Sequence, residues 1–383
     1  MLLRCTSFEQ MRREIEDKNR PIVIFGAGVI GTVTVPEILR QYHLSERVMC
    51  YIDNNCKEQR KTINVANKVV DIAPVDQLNE ADKNTAIIIA ISRYAEVLEQ
   101  LSNMICTQHM LCFIMPMMCI HNFCNSISEG IPVLSDKPLI PKKIHYMWLG
   151  KKQIPDKLQK CIDSWEKYCP DYEIIRWDES NYDITKNDYM KQAYEAKAYG
   201  FVPDYARLDI LYQHGGIYMD TDVEVVRNLE DMLYQQAFCG VEKWQTINFG
   251  GCSGAVKGHE AILKVLNERE NVSFFMKDGS PNRTTCGFYD TNVALKNGYI
   301  INGKTQNIMG MNIYASDYFH PYDYMSMQTN QTNHTYSIHW FNGGWLDEKT
   351  RQANMLVSQK YDSIYQQCIK NQEKSIDDKI DMN

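Results

Sequence analysis

Short apolar runs separated by helix-length amphipathic segments recur in two stretches of this 383-residue chain, and that alternation limits its fold more than any other feature. In the first stretch, residues 21–103, "PIVIF", "VMCYID" and "TAIIIAI" read as strands, with "VTVPEILRQYHL" and "RYAEVLEQLSNM" as helices. In the second, "KIHYMWLG", "YEIIRWDE" and "IYMDTDVEVV" read as strands. Between these lie "IPDKLQKCIDSWEKYCP" and a helix running from Pro203 to the Gly215-Gly216 pair. Parallel strands need crossovers of this length, so both stretches predict α/β domains on parallel sheets. The run "MLCFIMPMMCI" (110–120) reads as one more buried strand, whereas residues 270–340, dense in Tyr, Asn and Met, show no clear period. "ISEGIPVLSDKPLIPKK" concentrates Pro, Gly, Ser and charge, so the expected division is 1–125, a linker over 126–140, and 141–383.

The net charge of −7, with both signs interspersed, argues against a nucleic-acid partner gripped by bulk positive charge. The first twenty residues are charged throughout and lack the apolar core of an export signal, and no apolar run approaches the length of a membrane span. Thirteen cysteines are scattered without a C-x-x-C pair, which fits free thiols in a reducing compartment. The expectation is a cytoplasmic protein.

"HGGIYMDTDVEV" (214–225) places Asp220 and Asp222 where a buried strand ends. If the strand continued, the two carboxylates would share one side and repel. A divalent cation such as Mn²⁺ or Mg²⁺ would offset that repulsion, because hard cations combine carboxylates with substrate phosphates. A solvated turn is the plain alternative. Upstream, Asp204 and Arg207 lie three residues apart on a helix that also carries Leu208, Ile210 and Leu211, so the pair sits on a packed element.

"PDYARLDILYQHGGIYMDTDVEV" resembles the signature of glycosyltransferase family 32, the D-x-D sugar transferases that include yeast-type initiating mannosyltransferases and bacterial capsule enzymes. It is similar, too, to the glucosyltransferase domains of clostridial toxins. "KIHYMWLG" resembles the family's first strand and "SIHWFNGGW" its closing element, so the likeness spans about 140–350. The resemblance implies a GT-A type nucleotide-diphospho-sugar transferase fold and retaining transfer from a UDP- or GDP-sugar to a glycan or lipid-linked acceptor, in bacterial surface polysaccharide synthesis. Lipid-linked acceptors would bring the protein to the inner face of the cell membrane. Residue by residue, it implies that Trp148 stacks on the base, and that Asp204 and Arg207 contact the donor sugar and diphosphate. Tyr218 would pack near the ribose or sugar, Asp220 would reach ribose and metal, and Asp222 would ligate the metal. His339, or Asn342, would complete the metal or phosphate contacts. Two departures stand out: Gly344 replaces the usual serine before the final tryptophan, and "TTCGFYD" replaces a T-G-P-like segment on the acceptor side.

In the first stretch "FGAGVIG" has Gly26, Gly28 and Gly31 in G-x-G-x-x-G order between a strand and a helix, and Asp53 ends the next strand. That context predicts a Rossmann-like domain able to take a nucleotide, a nucleotide-sugar or NAD. It looks like the N-terminal domain of bacterial sugar acyltransferases. The alternative function is therefore a nucleotide-sugar oxidoreductase, epimerase or sensor acting through this domain, although no Tyr-x-x-x-Lys pair follows the loop.

Overall fold

The computed structural model describes residues 1–55, 58–59, 61–65, 68–124, 130–343 and 348–380, with 374–380 described by backbone alone. The chain divides into two units, one of Met1–Ile127, Tyr324–Gln328 and Asp347–Asn383, the other of Ser128–Asp323 and Thr329–Leu346.

The first unit contains β1 (Leu2–Arg4), α1 (Phe8–Glu16), β2 (Ile22–Phe25), α2 (Val35–Gln41), β3 (Val48–Ile52), β4 (Thr62–Val65), β5 (Lys68–Ala73), β6 (Ala86–Ile89), α3 (Tyr94–Ser102), β7 (Leu111–Ile114) and α4 (Met115–Cys119). Its sheet runs β1-β7-β6-β2-β3-β5-β4, parallel at every junction except the β4–β5 hairpin. Every residue of β2, β6 and β7 is buried, as expected of strands covered on both faces, which explains their unbroken apolar runs. The 110–120 run departs from the expected strand. It is strand only to Ile114 and then turns helical, with Pro116 in the first helical turn, where its missing N–H costs nothing.

The second unit contains β8 (Lys143–Met147), α5 (Asp156–Tyr168), β9 (Glu173–Trp177), α6 (Asp188–Glu195), α7 (Pro203–His214), β10 (Gly216–Tyr218), β11 (Val223–Val225), β12 (Ala237–Val241), β13 (Ile247–Asn248), β14 (Ser253–Ala255), α8 (Glu260–Arg269), α9 (Cys286–Lys296), β15 (Gln306–Ile308), β16 (Met311–Tyr314) and α10 (Ser316–Phe319). The chain continues through β17 (Tyr322–Asp323), β18 (Gln328–Thr329) and β19 (Ser337–His339). The main sheet runs β15-β16-β12-β14-β10-β8-β9, with β13 on β12. Strands β9, β8 and β10 are mutually parallel, and β14 runs against both of its neighbours, so the sheet is mixed. Both units are α/β, the class expected.

Two local outcomes matter for the site. Residues Asp204 to Leu211 of α7 are all buried, so the helix is a packed central element, and Gly215 ends it at a φ of 67° that favours glycine. The expected strand through "IYMDTDVEVV" breaks. It leaves the main sheet after Tyr218, turns through Asp220–Asp222 with Val223 N donating to Asp220 O at 3.1 Å, and resumes as β11 in a separate ribbon with β19.

The C-terminal α11 (Glu348–Ile380) belongs by its contacts to the first unit, so the expected 141–383 span holds most of the second unit, which takes in the expected linker from Ser128 onward, together with Tyr324–Gln328 and a helix of the first. It packs on β1 and α3 through Ala353, Val357, Tyr361, Ile364 and Cys368, spaced as one helical face. Among the described residues no helix is long and apolar enough to cross a membrane.

Candidate active site

The parallel strands β8 and β10 pair with His145 opposite Tyr218, so the chain leaves the same sheet edge at Trp148 and at Asp220. At this edge Asp220, Asp222 and His339 converge, one ligand atom from each lying within 4.8 Å of the others. The break after Tyr218 makes the convergence. Pairing of β11 with β19 sets Val223 opposite His339, which carries the imidazole back to the aspartates. His339 Nε2 lies 3.3 Å from Asp222 Oδ1, and the Asn342 backbone N–H donates to Asp222 Oδ2 at 2.7 Å. Burial alone would push the Asp222 pKa up, but the His339 imidazolium and these hydrogen bonds override it and hold it at about 2. The His339 pKa is raised in turn: burial opposes its charge, and Asp222 more than compensates.

Asp220 faces the other way. Its pKa is raised, chiefly by burial and against the pull of Arg207 and His339. Arg207 Nη2 sits 3.3 Å from Asp220 Oδ2 and 3.2 Å from Asp204 Oδ1, so one guanidinium bridges two acids. Burial disfavours the Arg207 charge, yet Asp220 and Asp204 hold its pKa well above the ordinary value. Its Nε donates to Pro203 O at 3.0 Å, and the guanidinium lies 5.8 Å from the centroid of the Tyr218 ring. Removing one member of such a buried array strands a charge and costs about 3–5 kcal/mol.

Two oxygens and an imidazole nitrogen, clustered beside a fixed guanidinium, form a donor set that suits Mn²⁺ or Mg²⁺ together with phosphate oxygens. The Nδ1 of His339 is buried without a hydrogen-bond partner among the described residues, and Nε2 is the nitrogen directed at the carboxylates.

The sequence-derived residues are placed as follows. Asp204, Arg207, Asp220, Asp222 and His339 form one continuous array. Trp148 is half-buried at the neighbouring strand end, its indole N–H donating to Lys152 O at 2.7 Å. Tyr218, expected beside the ribose or sugar, is fully buried, with the Arg207 guanidinium 5.8 Å from its ring centroid and its side chain hydrogen-bonded to Asp220. Gly344 lies outside the described residues.

Three features escaped the sequence reading. Gly250 has no Cβ where one would overlap the Asp220 carboxylate and crowd Arg207 Nη1, and its carbonyl accepts from Asp220 N at 2.8 Å. Asn248 fixes this turn: its Oδ1 accepts from Gly250 N at 2.7 Å and Gly251 N at 3.1 Å, while its Nδ2 donates to Glu242 Oε1 at 2.6 Å. An Asn two residues ahead of a glycine pair was the signal available, in "NFGG". His320 is fully buried, 5.6 Å ring to ring from His339, with burial driving its pKa well down. No periodicity marks that residue.

In the first unit the glycine loop has the predicted context, with Gly26 after β2 and a helical turn starting beyond Gly28. Gly31 packs so closely on the Gly26 carbonyl that a Cβ would overlap it. Both oxygens of Asp53 accept backbone N–H bonds, from Ala27 at 2.8 Å and from Asn55 at 2.8 Å.

Residues 155–239 match the family model described as a glycosyltransferase sugar-binding region containing a DXD motif. The chain is 34% identical over 143 residues to inositol phosphoceramide mannosyltransferase 3 of Schizosaccharomyces pombe, a match covering 35% of this chain and 38% of that protein. It is 26% identical over 182 residues to subversion of eukaryotic traffic protein A of Legionella pneumophila, covering 39% of this chain and 28% of that one. The chain thus spans less than two fifths of the length of either relative. Among solved structures it is similar to a PaToxG glycosyltransferase, with 18% identity, a TM-score of 0.34, and coverage of 54% of this chain and 78% of that one.

Proposed function

We propose that this chain is a glycosyltransferase that moves a sugar from a nucleotide-sugar donor to a glycan or lipid-linked acceptor. The observation that carries the reading is the meeting of Asp220, Asp222 and His339 beside the Asp204–Arg207 pair. The family match over 155–239, which includes Asp204, Arg207, Asp220 and Asp222, supports it. A divalent cation bound by those three residues would offset the charge that develops on a departing diphosphate.

The chain's own groups do the rest. Arg207 is a permanent positive charge, held by two acids and a backbone carbonyl before any donor arrives, so it needs no reorganisation to face a phosphate or sugar oxygen. Asp204 accepts hydrogen bonds from hydroxyls of the donor sugar and so orients it. Trp148, on the adjoining strand end, offers an indole face for the base. The reaction retains anomeric configuration, as the resemblance implies, and no second carboxylate stands out as a covalent nucleophile. The relatives named for mannosyl transfer to a phosphoinositol lipid favour a hexose donor and a lipid-linked acceptor. We place the reaction in surface polysaccharide synthesis, at the cytoplasmic side of the membrane. The glycine loop of the first unit is proposed as a nucleotide or nucleotide-sugar site.

The test is hydrolysis of UDP-glucose, UDP-galactose, UDP-N-acetylglucosamine and GDP-mannose with and without Mn²⁺. Turnover of at least one donor that needs the metal, and that falls about 1,000-fold in Asp222→Asn, is the expected result. Full activity of that variant refutes the assignment.

A further inference from the structure

A second cluster of buried charge in the same unit lies between α8 and α9. Arg269, the last residue of α8, is 5% exposed and Asp290 only 1%. Arg269 Nη2 and Nε donate to Asp290 Oδ1 at 2.6 and 3.1 Å, and Nη2 also donates to the Cys286 carbonyl at 3.2 Å. The guanidinium lies 5.2 Å from the centroid of the Tyr289 ring. Apolar residues of similar volume often stabilise a fold as well as a buried ion pair, so stability alone is a weak reason for this one.

Its geometry supplies a better reason. Cys286 and Asp290 are one turn apart on α9, and a planar guanidinium that grips both fixes the position and rotation of the helix's first turn. That turn carries Cys286, a half-buried residue whose Sγ lies 3.9 Å from Arg207 Nη1. Arg207 Nη1 is the same atom that Gly250 leaves room for. The Cys286 side chain therefore backs the guanidinium that joins Asp204 to Asp220.

We infer that Arg269 and Asp290 are positioning residues for the sugar-binding side of the site: by fixing the first turn of α9 they hold Cys286 as the wall against which Arg207 is set. The inference rests on the transferase reading above and adds a segment, "TTCGFYD", whose part in the site the sequence left open.

Donor hydrolysis by the full chain, measured with the same four nucleotide-sugars, is combined with N-ethylmaleimide labelling of individual cysteines followed by mass spectrometry. In Asp290→Asn, labelling of Cys286 should speed up about tenfold while the fully buried Cys239 and Cys252 stay protected, and the donor KM should rise about tenfold with kcat within about threefold. Mn²⁺ affinity, read by electron paramagnetic resonance, should not change. Labelling of Cys286 at the wild-type rate, or loss of Mn²⁺ binding in step with KM, overturns the inference. If Asp290→Asn unfolds, Cys239 and Cys252 label as well. The decision then passes to Cys286→Ala, which leaves the ion pair intact: a raised donor KM with unchanged Mn²⁺ affinity supports the inference, and an unchanged KM sinks it. Should wild-type protein turn over none of the four donors, the transferase reading fails first, before any variant is compared.

Discussion

The parallel strands β2 and β10, one in each unit's sheet, end in turns of similar grammar and opposite use. At the end of β2 the glycine loop closes on itself: Gly31 packs against the Gly26 carbonyl, and Asp53 spends its two oxygens on backbone N–H groups. At the end of β10 the backbone is cleared so that charges can approach one another, with Gly250 giving way to the Asp220 carboxylate and Arg207 sharing itself between two acids. One turn invests its glycine and its acid in holding shape. The other invests them in holding charge, which costs stability unless a ligand or counter-charge offsets it.

That contrast can be broken most forcefully at Gly31. Gly31→Ala puts a methyl group into the Gly26 carbonyl and should destabilise the first unit by about 4–5 kcal/mol, the upper end of single-residue effects. Thermal unfolding should show the loss; an unchanged melting temperature would mean that the loop is not the packed turn described here.

The charged end has its own pH signature. His145 is fully buried beneath the site, its Nδ1 accepting from Trp177 and its Nε2 facing the Gly215 carbonyl, and burial pushes its pKa down to about 4. Because the folded value lies below the ordinary 6.5, the contribution is complete above pH 6.5 and is lost as pH falls through about 4. The loss should approach about 3 kcal/mol. Urea titrations between pH 7 and 4 should show a steeper decline for wild type than for His145→Gln; parallel slopes would remove His145 from the account.

Gly250→Ala separates chemistry from fold. Displacing Asp220 and Arg207 by a fraction of an ångström should lower donor turnover about 100-fold, about 2.7 kcal/mol in the barrier. Normal activity would show that the close approach has no part in catalysis. The smallest effect belongs to Gly28, beside which a Cβ would meet nothing within 4 Å. Gly28→Ala should leave stability within about 0.5 kcal/mol of wild type. If calorimetry then finds UDP or NAD binding in wild type and none in the variant, the loop of the first unit takes a ligand at that open position, and the contrast between the two turns narrows.

Much of this was legible because buried strands and crossover helices leave a local trace. Strands β2, β3, β6, β8 and β9 and helices α3, α5 and α7 fall where apolar runs and helical spacing put them. Asp204, Arg207, Asp220 and Asp222 were readable as a motif, since neighbours in sequence remain neighbours on α7 and at the end of β10. Gly250, Arg269 and Asp290 were not, because they reach the site from the end of β13 and from α8 and α9, far along the chain from the residues they serve, and only the fold brings them together. The break after Tyr218 was hidden for another reason. A continuous apolar–acid alternation looks the same whether the strand stays in its sheet or leaves to pair with β19, and only the distant partner decides.

The helix α11 carries a consequence for how this protein comes into being. Strand β1 is laid against a helix whose residues Asn371 and Gln372 donate to the carbonyls of Leu3 and Cys5. These partners lie 368 and 367 residues apart in the chain, so the ribosome releases the beginning of the first unit long before the segment that covers it. A growing chain can mature the second unit while strand β1 waits, uncovered, for α11 to be synthesised.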